Sequence, residues 1–396
     1  MILDAPFPID PRVSNEASAL ISAGHEVYLF CLSYSKEFVE KEVIDSINIR
    51  RYYCSKLTYK FSALAYTFSY YKVVMSKKIN NFLNLNNIDK IHIHDIQIAS
   101  SVFKANLKSL PVTLDLHENR PEIMKFYKHV NSFIGKLLIS PKKWKIAEEK
   151  FIKTANNVIV VTNAAKTELV ERTGENKDKI TVFPNTVRKS FYTDYEIDTD
   201  LIKKYKDNFV LLYLGNTSKR RGISTVINSL KFLKTKIPEI KFIIVGSSSY
   251  DNELKYLSKA NNVQNFVSFE GWKNENSFQS YLSICDIGVS PLESNIHHDT
   301  TYANKIFQYM SFGCPMICSD VKAQKEITEK YELGELFKAG NVEEFSERVV
   351  DLYNDRNKIN LYSINSRNAI KNFLNNDIDD SKKISKKNRY KLKDII

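Results

Sequence analysis

The residues able to do chemistry gather in short stretches that each follow an apolar run. Gly215-Asn-Thr-Ser-Lys-Arg-Arg-Gly222 comes after Phe209–Leu214 and before a helical pattern starting near Ile223. A glycine at each end lets the backbone approach a ligand closely, and Lys219, Arg220 and Arg221 stand at a helix N-terminus, whose dipole favours anions. A phosphate site is the specific reading of this segment, and a solvated basic turn the plain one. A second stretch follows Ile287–Ser290 and runs Pro291-Leu-Glu293, His297-His-Asp-Thr-Thr-Tyr-Ala-Asn-Lys305, then Gln308 and Gly313-Cys-Pro315. Ile306, Phe307 and Met310 have helical spacing, so the polar loop feeds another helix N-terminus. Gln308 lies one turn inside on the face of Asn304, where an amide can hydrogen-bond a pair of hydroxyls. His297-His298-Asp299 invites a metal reading, but adjacent histidines in an extended loop point to opposite sides and no third ligand is spaced nearby. No metal is expected.

In the first half, His92-Ile-His94-Asp95 and Asp115-Leu-His117-Glu118 end two further apolar runs. Strand alternation puts Asp115 and His117 on one face. A histidine beside a carboxylate at a strand end can hold a substrate hydroxyl or relay a proton. For His92 and His94 a hydrogen-bonded structural role is the plainer reading.

What must position these residues is a series of short β-branched or aliphatic runs, at 27–32, 91–94, 112–116, 157–162 and 180–183, then at 209–214, 241–245, 267–269, 287–290 and 316–319. Near-continuous apolarity over so few residues suits strands covered on both faces. Helical patterns at 13–23, 224–234 and 304–312 alternate with them, as in βαβ units of a doubly wound α/β fold. Ligands in such sheets gather at the carboxyl ends of the strands, where the loops above lie. The polar, aromatic stretch 184–207 reads as a join between two sets of units. Residues 1–187 are therefore expected to form one domain and 188–365 a second, with 366–396 a terminal helix and basic tail packing back towards the first. Two amphipathic stretches, 56–85 and 133–151, rich in Tyr, Phe and Lys, fit packing on a sheet and also fit lying on a bilayer surface.

Lys+Arg 58 against Asp+Glu 46 leaves +12, which favours polyanions such as nucleotide phosphates or anionic headgroups without choosing among them. Nucleic acid is not expected as a partner, because charge alone speaks for it, without a zinc pattern or aromatic-basic motif. The five cysteines form no Cys-x-x-Cys pair and lie in apolar surroundings, as buried reduced thiols do, so a cytoplasmic protein is expected. No apolar run reaches the ~18 residues of a membrane span, and Met1-Ile-Leu-Asp-Ala-Pro lacks the basic start of a signal peptide.

Taken in order, these elements resemble the GT-B glycosyltransferases of family 4. Similar to that family are Phe7-Pro-Ile-Asp-Pro-Arg12-Val-Ser-Asn-Glu16-Ala, Leu20 and Ala23-Gly-His-Glu-Val27, then His94-Asp95, Asp115-Leu-His-Glu118, Val160-Val-Thr162 and Phe183-Pro-Asn185. The second half adds Gly215 to Gly222, Val245-Gly246, Phe269-Glu-Gly271 and Pro291-Leu, so the likeness covers residues 1 to about 375. It implies a GT-B fold, with two Rossmann-like doubly wound domains facing a central cleft. It also implies a retaining, metal-independent hexosyltransferase without a cofactor. The second domain would bind a nucleotide-sugar, a UDP-sugar ahead of a GDP-sugar. Its donor residues would be Gly215, Asn216, Lys219, Arg220, Arg221, Gly246, Gly271, Trp272, Thr300, Ala303, Asn304, Lys305 and Gln308. The first domain would receive a lipid-linked or saccharide acceptor through Arg12, Glu16, His94 and Asp95, with His117, Asp115 and Glu118 as the catalytic group. Such an enzyme would build a bacterial surface polysaccharide (capsule, O-antigen or exopolysaccharide), in the cytoplasm or at the inner face of the plasma membrane.

Three features depart from the family's pattern. Thr300 and Gln308 replace its two glutamates eight positions apart, Asn216 stands where an Arg is common, and the first strand is cut to Met1-Ile-Leu-Asp4. The loss of both acids keeps a second function open, that of a catalytically silent GT-B subunit binding a nucleotide or a partner enzyme.

Overall fold

The computed structural model describes residues 1–9, 11–188 and 190–387. The chain divides into two compact units, residues 1–185 with the stretch from 376, and residues 186–375.

The first unit is built on an eight-stranded sheet. Its strands are β1 (Ile2–Leu3), β2 (Tyr28–Ser33), β3 (Lys41–Ile44), β4 (Ile47–Tyr53), β5 (Ile91–His94), β6 (Val112–Leu116), β7 (Asn157–Val160) and β8 (Ile180–Val182). Their order is β3-β4-β2-β1-β5-β6-β7-β8, and every pairing is parallel except β3 with β4. Sequence periodicity missed that edge hairpin, because half-exposed polar strands carry no continuous apolar run. Asp45 and Ser46 turn it with φ of 50° and 65°, the left-handed pair that a two-residue hairpin loop needs. The second unit has six strands, β9 (Phe209–Leu214), β10 (Ile240–Val245), β11 (Val267–Gly271), β12 (Ile287–Ser290), β13 (Met316–Ser319) and β14 (Gly334–Phe337). They run parallel in the order β11-β10-β9-β12-β13-β14, a doubly wound sheet whose direction of winding reverses between β9 and β12.

Burial on both faces explains the apolar runs. Along β9, Val210, Leu212 and Leu214 pack into one core, while Phe209, Leu211 and Tyr213 pack into another across the sheet. Each sheet therefore holds two helix-covered layers, and polar side chains at strand ends are left to the loops.

Two readings of the sequence change here. The segment 297–299, expected as an extended loop, is part of a helical turn, Ile296–Thr300, because Asn295 caps it by accepting a hydrogen bond from the His298 amide at 3.0 Å. The last helix starts at Arg356, ahead of the expected 366, and continues to Lys387. Of the basic tail, Arg389, Lys391 and Lys393 lie outside the described residues. Within 56–85 the helix Tyr70–Leu85 turns one face inward, with Tyr71, Met75, Ile79 and Phe82 all within 1% of full burial, while Leu57, Phe68, Tyr70 and Leu85 stay exposed. No helix among the described residues is long and apolar enough to cross a membrane.

Candidate functional site

In the first unit the strand ends converge on Asp115, at the end of β6 and fully buried. A buried carboxylate needs a cation, and Arg12, from the helix Pro11–Ser22, supplies it. Its Nε donates to Asp115 Oδ2 at 2.8 Å and its Nη2 pairs with Asp115 Oδ1, while Nη1 donates to the Phe183 carbonyl at 2.8 Å. Glu16, one turn along the same helix, lies 3.0 Å from Arg12 Nη2 and 3.1 Å from His92 Nε2. His94 Nδ1 stands 3.3 Å from Asp115 Oδ2 and 3.2 Å from His117 Nε2, and His117 Nε2 is 2.9 Å from Asp115 Oδ2.

The predicted acceptor residues lie within this network. Arg12, Glu16 and His94, expected against an acceptor, are 1%, 6% and 1% exposed, and their polar atoms are turned onto Asp115 and one another. They set the position of Asp115, which in turn holds His117. The Asp115 side chain is fully buried, whereas the His117 side chain keeps 19% of its surface. The two histidines differ in charge. Burial pushes His94 down to about 4, against the pull of Asp115, so it is neutral at pH 7. Burial would lower His117 as well, but the charge and hydrogen bond of Asp115 outweigh it and raise the imidazole to about 9. His117 is therefore an imidazolium at neutral pH, a charged donor rather than a free base. Asp115 is held well below the ordinary carboxylate range, Arg12 and His117 overcoming the cost of its burial. Glu16, His92, His94 and Asp115 bring ligand atoms within 4.8 Å of one another, a metal-like spacing, but the cation that neutralises both acids there is Arg12.

Asp95 caps the helix Ile96–Ala105, accepting from the Ile96 amide at 2.8 Å, and receives Arg120 Nε at 3.0 Å. Arg120 also pairs with Glu118 at 3.2 Å, which ties that predicted residue to the same network. Asp4, after β1, accepts from Tyr71 and from Gln97 Nε2, and burial raises it to about 7. Neither Arg120 nor Asp4 was marked by the sequence. The signal for Asp4 is its place at the carboxyl end of β1, where β1 adjoins β5 and the winding reverses.

In the second unit the loops after β9 and β12 meet. Gly222, with φ of +69°, lies so close to the second loop that a Cβ would stand 1.7 Å from the Pro291 carbonyl oxygen. Gly246 touches Gly215 in the same way, with a Cβ position 1.9 Å from its carbonyl oxygen. A closed ring of hydrogen bonds locks the loops together. The Glu293 amide donates to the Arg220 carbonyl at 3.1 Å, His298 Nδ1 lies 2.7 Å from the Glu293 carbonyl, and Arg220 Nη1 lies 2.9 Å from His298 Nε2. Burial, then the cations nearby, press His298 down to about 3, against the Glu293 carbonyl. The imidazole is thus neutral, with Nδ1–H donating to Glu293 and Nε2 accepting from Arg220.

Lys305, the first residue of the helix Lys305–Phe312, is only 5% exposed and sets its ammonium 4.2 Å over the Tyr213 ring. It also lies 3.9 Å from the Cβ position of Gly215. Burial, followed by the charge of Arg221 and Arg220, drives its amine well below the ordinary lysine range. Arg221 Nε is buried without a hydrogen-bond partner among the described residues. Lys305 thus lies beside Gly215 and within electrostatic reach of Arg221 and Arg220, a crowding of positive charge that an anion would relieve.

The other predicted donor residues are placed as follows. Asn216 is exposed and turns its side-chain oxygen to the Ser218 amide at 2.9 Å, and Lys219 is exposed beside it. Ala303 and Gln308 are 6% and 7% exposed, and Asn304 is exposed at the start of the Lys305 helix. Gly271 ends β11, accepting from the Gly246 amide at 2.7 Å, with Trp272 75% exposed after it. Thr300 donates its hydroxyl to the Ile296 carbonyl at 2.8 Å inside its own turn, so it presents no proton outward.

Comparison with known proteins matches this architecture in two successive pieces. The family described as "Glycosyltransferase Family 4" matches residues 12–191, and "Glycosyl transferases group 1" matches residues 195–372. The chain belongs to the GT-B glycosyltransferases of the family 4 type. Among curated relatives, it is 22% identical over 265 residues to the 2-deoxystreptamine N-acetyl-D-glucosaminyltransferase of Niallia circulans, covering 65% of each chain. It is 23% identical to the capsular polysaccharide biosynthesis glycosyltransferase CapM of Staphylococcus aureus, covering 57% of this chain and 59% of that one. It is 24% identical to the UDP-Gal:alpha-D-GlcNAc-diphosphoundecaprenol alpha-1,3-galactosyltransferase of Escherichia coli, over 56% and 57% of the two chains. The chain thus spans just under two thirds of the length of the first of these relatives and less of the others. Among solved structures, Anabaena HepE in complex with UDP has the same fold, with a TM-score of 0.67 at 14% identity over 93% of both chains.

Proposed function

We propose that the protein is a retaining glycosyltransferase that moves a sugar from a nucleoside-diphosphate sugar, a UDP-sugar ahead of a GDP-sugar, to a lipid-linked or saccharide acceptor in bacterial surface polysaccharide synthesis. The observation that carries the donor half is Lys305, 5% exposed with its Nζ 3.9 Å from the Cβ position of Gly215, where Arg221 and Arg220 add to the burial that disfavours its proton. A diphosphate placed there supplies the missing counter-charge. When the glycosidic bond breaks, negative charge grows on the leaving phosphate, and preorganised cations and helix-end amides stabilise it more than they stabilise the bound donor. Three side-chain cations can provide that neutralisation without Mg²⁺, so transfer is expected to persist in EDTA. His117 would serve the transferred sugar as a charged hydrogen-bond donor held by Asp115. The acceptor class draws support from the relative whose name carries a diphosphoundecaprenol substrate, and the pathway from the capsular one.

The test is to incubate the protein with a panel of nucleotide-sugars, with and without EDTA and with lipid-linked acceptors, and to measure free nucleoside diphosphate. Release from one donor, with the donor's anomeric configuration kept in the product, supports the reading. Tight nucleotide binding with no release across the panel favours the silent subunit instead, the reading motivated by Thr300 and Gln308. Loss of activity in EDTA, restored by Mg²⁺ or Mn²⁺, would refute metal independence.

A further inference from the structure

An ammonium taken out of water is ordinarily met by a carboxylate. Lys305 is not. Its Nζ forms no hydrogen bond or ion pair with a described residue, and what lies under it is the face of the Tyr213 ring, with the centroid 4.2 Å away. Burial works against its proton first, then Arg221 and, more weakly, Arg220. The one side chain acting the other way, Cys318, is a thiol that burial itself keeps neutral, pushed up to about 12.

Tyr213 is fixed by the fold. It lies in β9, fully buried, in the core layer that holds Leu211, Ile244 and Ile287. Its hydroxyl donates to the Asn216 carbonyl at 2.6 Å, so the side chain that underlies Lys305 also holds the start of the Gly215–Gly222 loop. Lys305 Nζ in turn stands 3.9 Å from the Cβ position of Gly215, which closes the circuit from strand to loop to lysine. The face of an aromatic ring is negative and attracts an ammonium, yet the ring carries no net charge. A carboxylate in its place would hold the lysine, cancel the charge that a phosphate needs, and repel the phosphate as well. The ring holds Lys305 and leaves its whole charge to the ligand.

We propose that Tyr213 is a positioning residue for the donor: its ring holds the Lys305 ammonium beside Gly215 by cation–π attraction, and the charge so held receives the diphosphate. The proposal rests on the donor reading above and adds to it the residue that aims the lysine. Tyr213 itself touches no part of the donor.

The test weakens the ring face without changing its shape. Tyr213→Phe and its analogues with one, two and three ring fluorines all lack the hydroxyl, so the loop contact is the same throughout and only the ring electrostatics vary. Affinity for UDP and GDP is measured across this series by calorimetry, alone and combined with Lys305→Met, with melting temperatures as a check on folding. Affinity should fall steadily with each fluorine, by roughly tenfold or more over the series, and this slope should vanish in the Lys305→Met background. A flat series in a protein that binds nucleoside diphosphate and loses affinity on Lys305→Met would overturn the role of Tyr213 and leave the donor site standing. A slope that persists in Lys305→Met would also overturn it, because the fluorines would then act through something other than the lysine. Absence of UDP and GDP binding by the wild type would remove the donor site and the inference with it.

Discussion

If Asp115 sets the charge of His117, the imidazole must titrate far from its ordinary value. Moving from 6.5 to about 9 corresponds, at roughly 1.4 kcal/mol for each tenfold change in proton affinity, to about 3 kcal/mol of preference for the charged form in the folded protein. Because the folded value is raised, this stability is fully present below pH 6.5 and is lost as the pH climbs through about 9. The seven histidines are few enough to follow by ring-carbon NMR, and His117→Gln identifies the resonance by its disappearance. The stability of wild type relative to His117→Gln should fall by about 3 kcal/mol between pH 6 and pH 10, and Asp115→Asn should carry the midpoint down to or below 6.5, since burial then acts unopposed. If the charged form is the one used, kcat/KM should fall on the alkaline side with an apparent pKa near 9. A wild-type midpoint at or below 6.5 would refute the reasoning, because it would mean that burial outweighs the Asp115 pair.

Lys305→Met should weaken nucleoside diphosphate binding by roughly ten- to 100-fold, the loss of a charge-assisted contact, with little change in melting temperature. Burial and the two arginines lower the proton affinity of Lys305, and a bound diphosphate should raise it, so nucleoside diphosphate affinity should fall more steeply with rising alkaline pH in the wild type than in Lys305→Met; identical pH profiles would argue against the contact. His298→Ala should raise the donor KM by about tenfold with a smaller effect on kcat, and His298→Gln, whose side-chain oxygen can accept from Arg220, should recover most of it; equal defects in the two would mean that the ring only fills space. Gly222→Ala should cost about 2 kcal/mol or more and loosen the nucleotide, because the position combines φ of +69° with a contact on the Pro291 carbonyl.

The sequence alone determined most of the parallel strands and their two-faced burial, though not β3, β4 or β14, because a run such as Phe209–Leu214 admits few other fates once helical patterns alternate with it. It likewise offered the loop from Gly215 to Gly222 as a candidate anion site beside the reading of a solvated basic turn, since glycine and lysine or arginine at a helix N-terminus act through backbone physics that is local. Periodicity could not say what a polar side chain at a strand end would meet. Arg12 and Glu16 have the composition of ligand-binding residues, yet they lie inside, because Asp115, about a hundred positions away in the chain, needs a cation where β1, β5 and β6 come together. In the same way His298 became the partner of Arg220, 78 positions distant, only because β9 and β12 are neighbours at the point where the sheet reverses its winding. The amphipathic stretches 56–85 and 133–151 read alike, and only packing separated them. Tyr71, Met75, Ile79 and Phe82 found a core to fill, whereas Gly135 and Trp144 took the inward side of the second and left Phe133, Ile134 and Leu137 to the outside. Local order follows from side-chain size, branching and period; the identity of a neighbour across the fold follows from strand order, which no local pattern encodes.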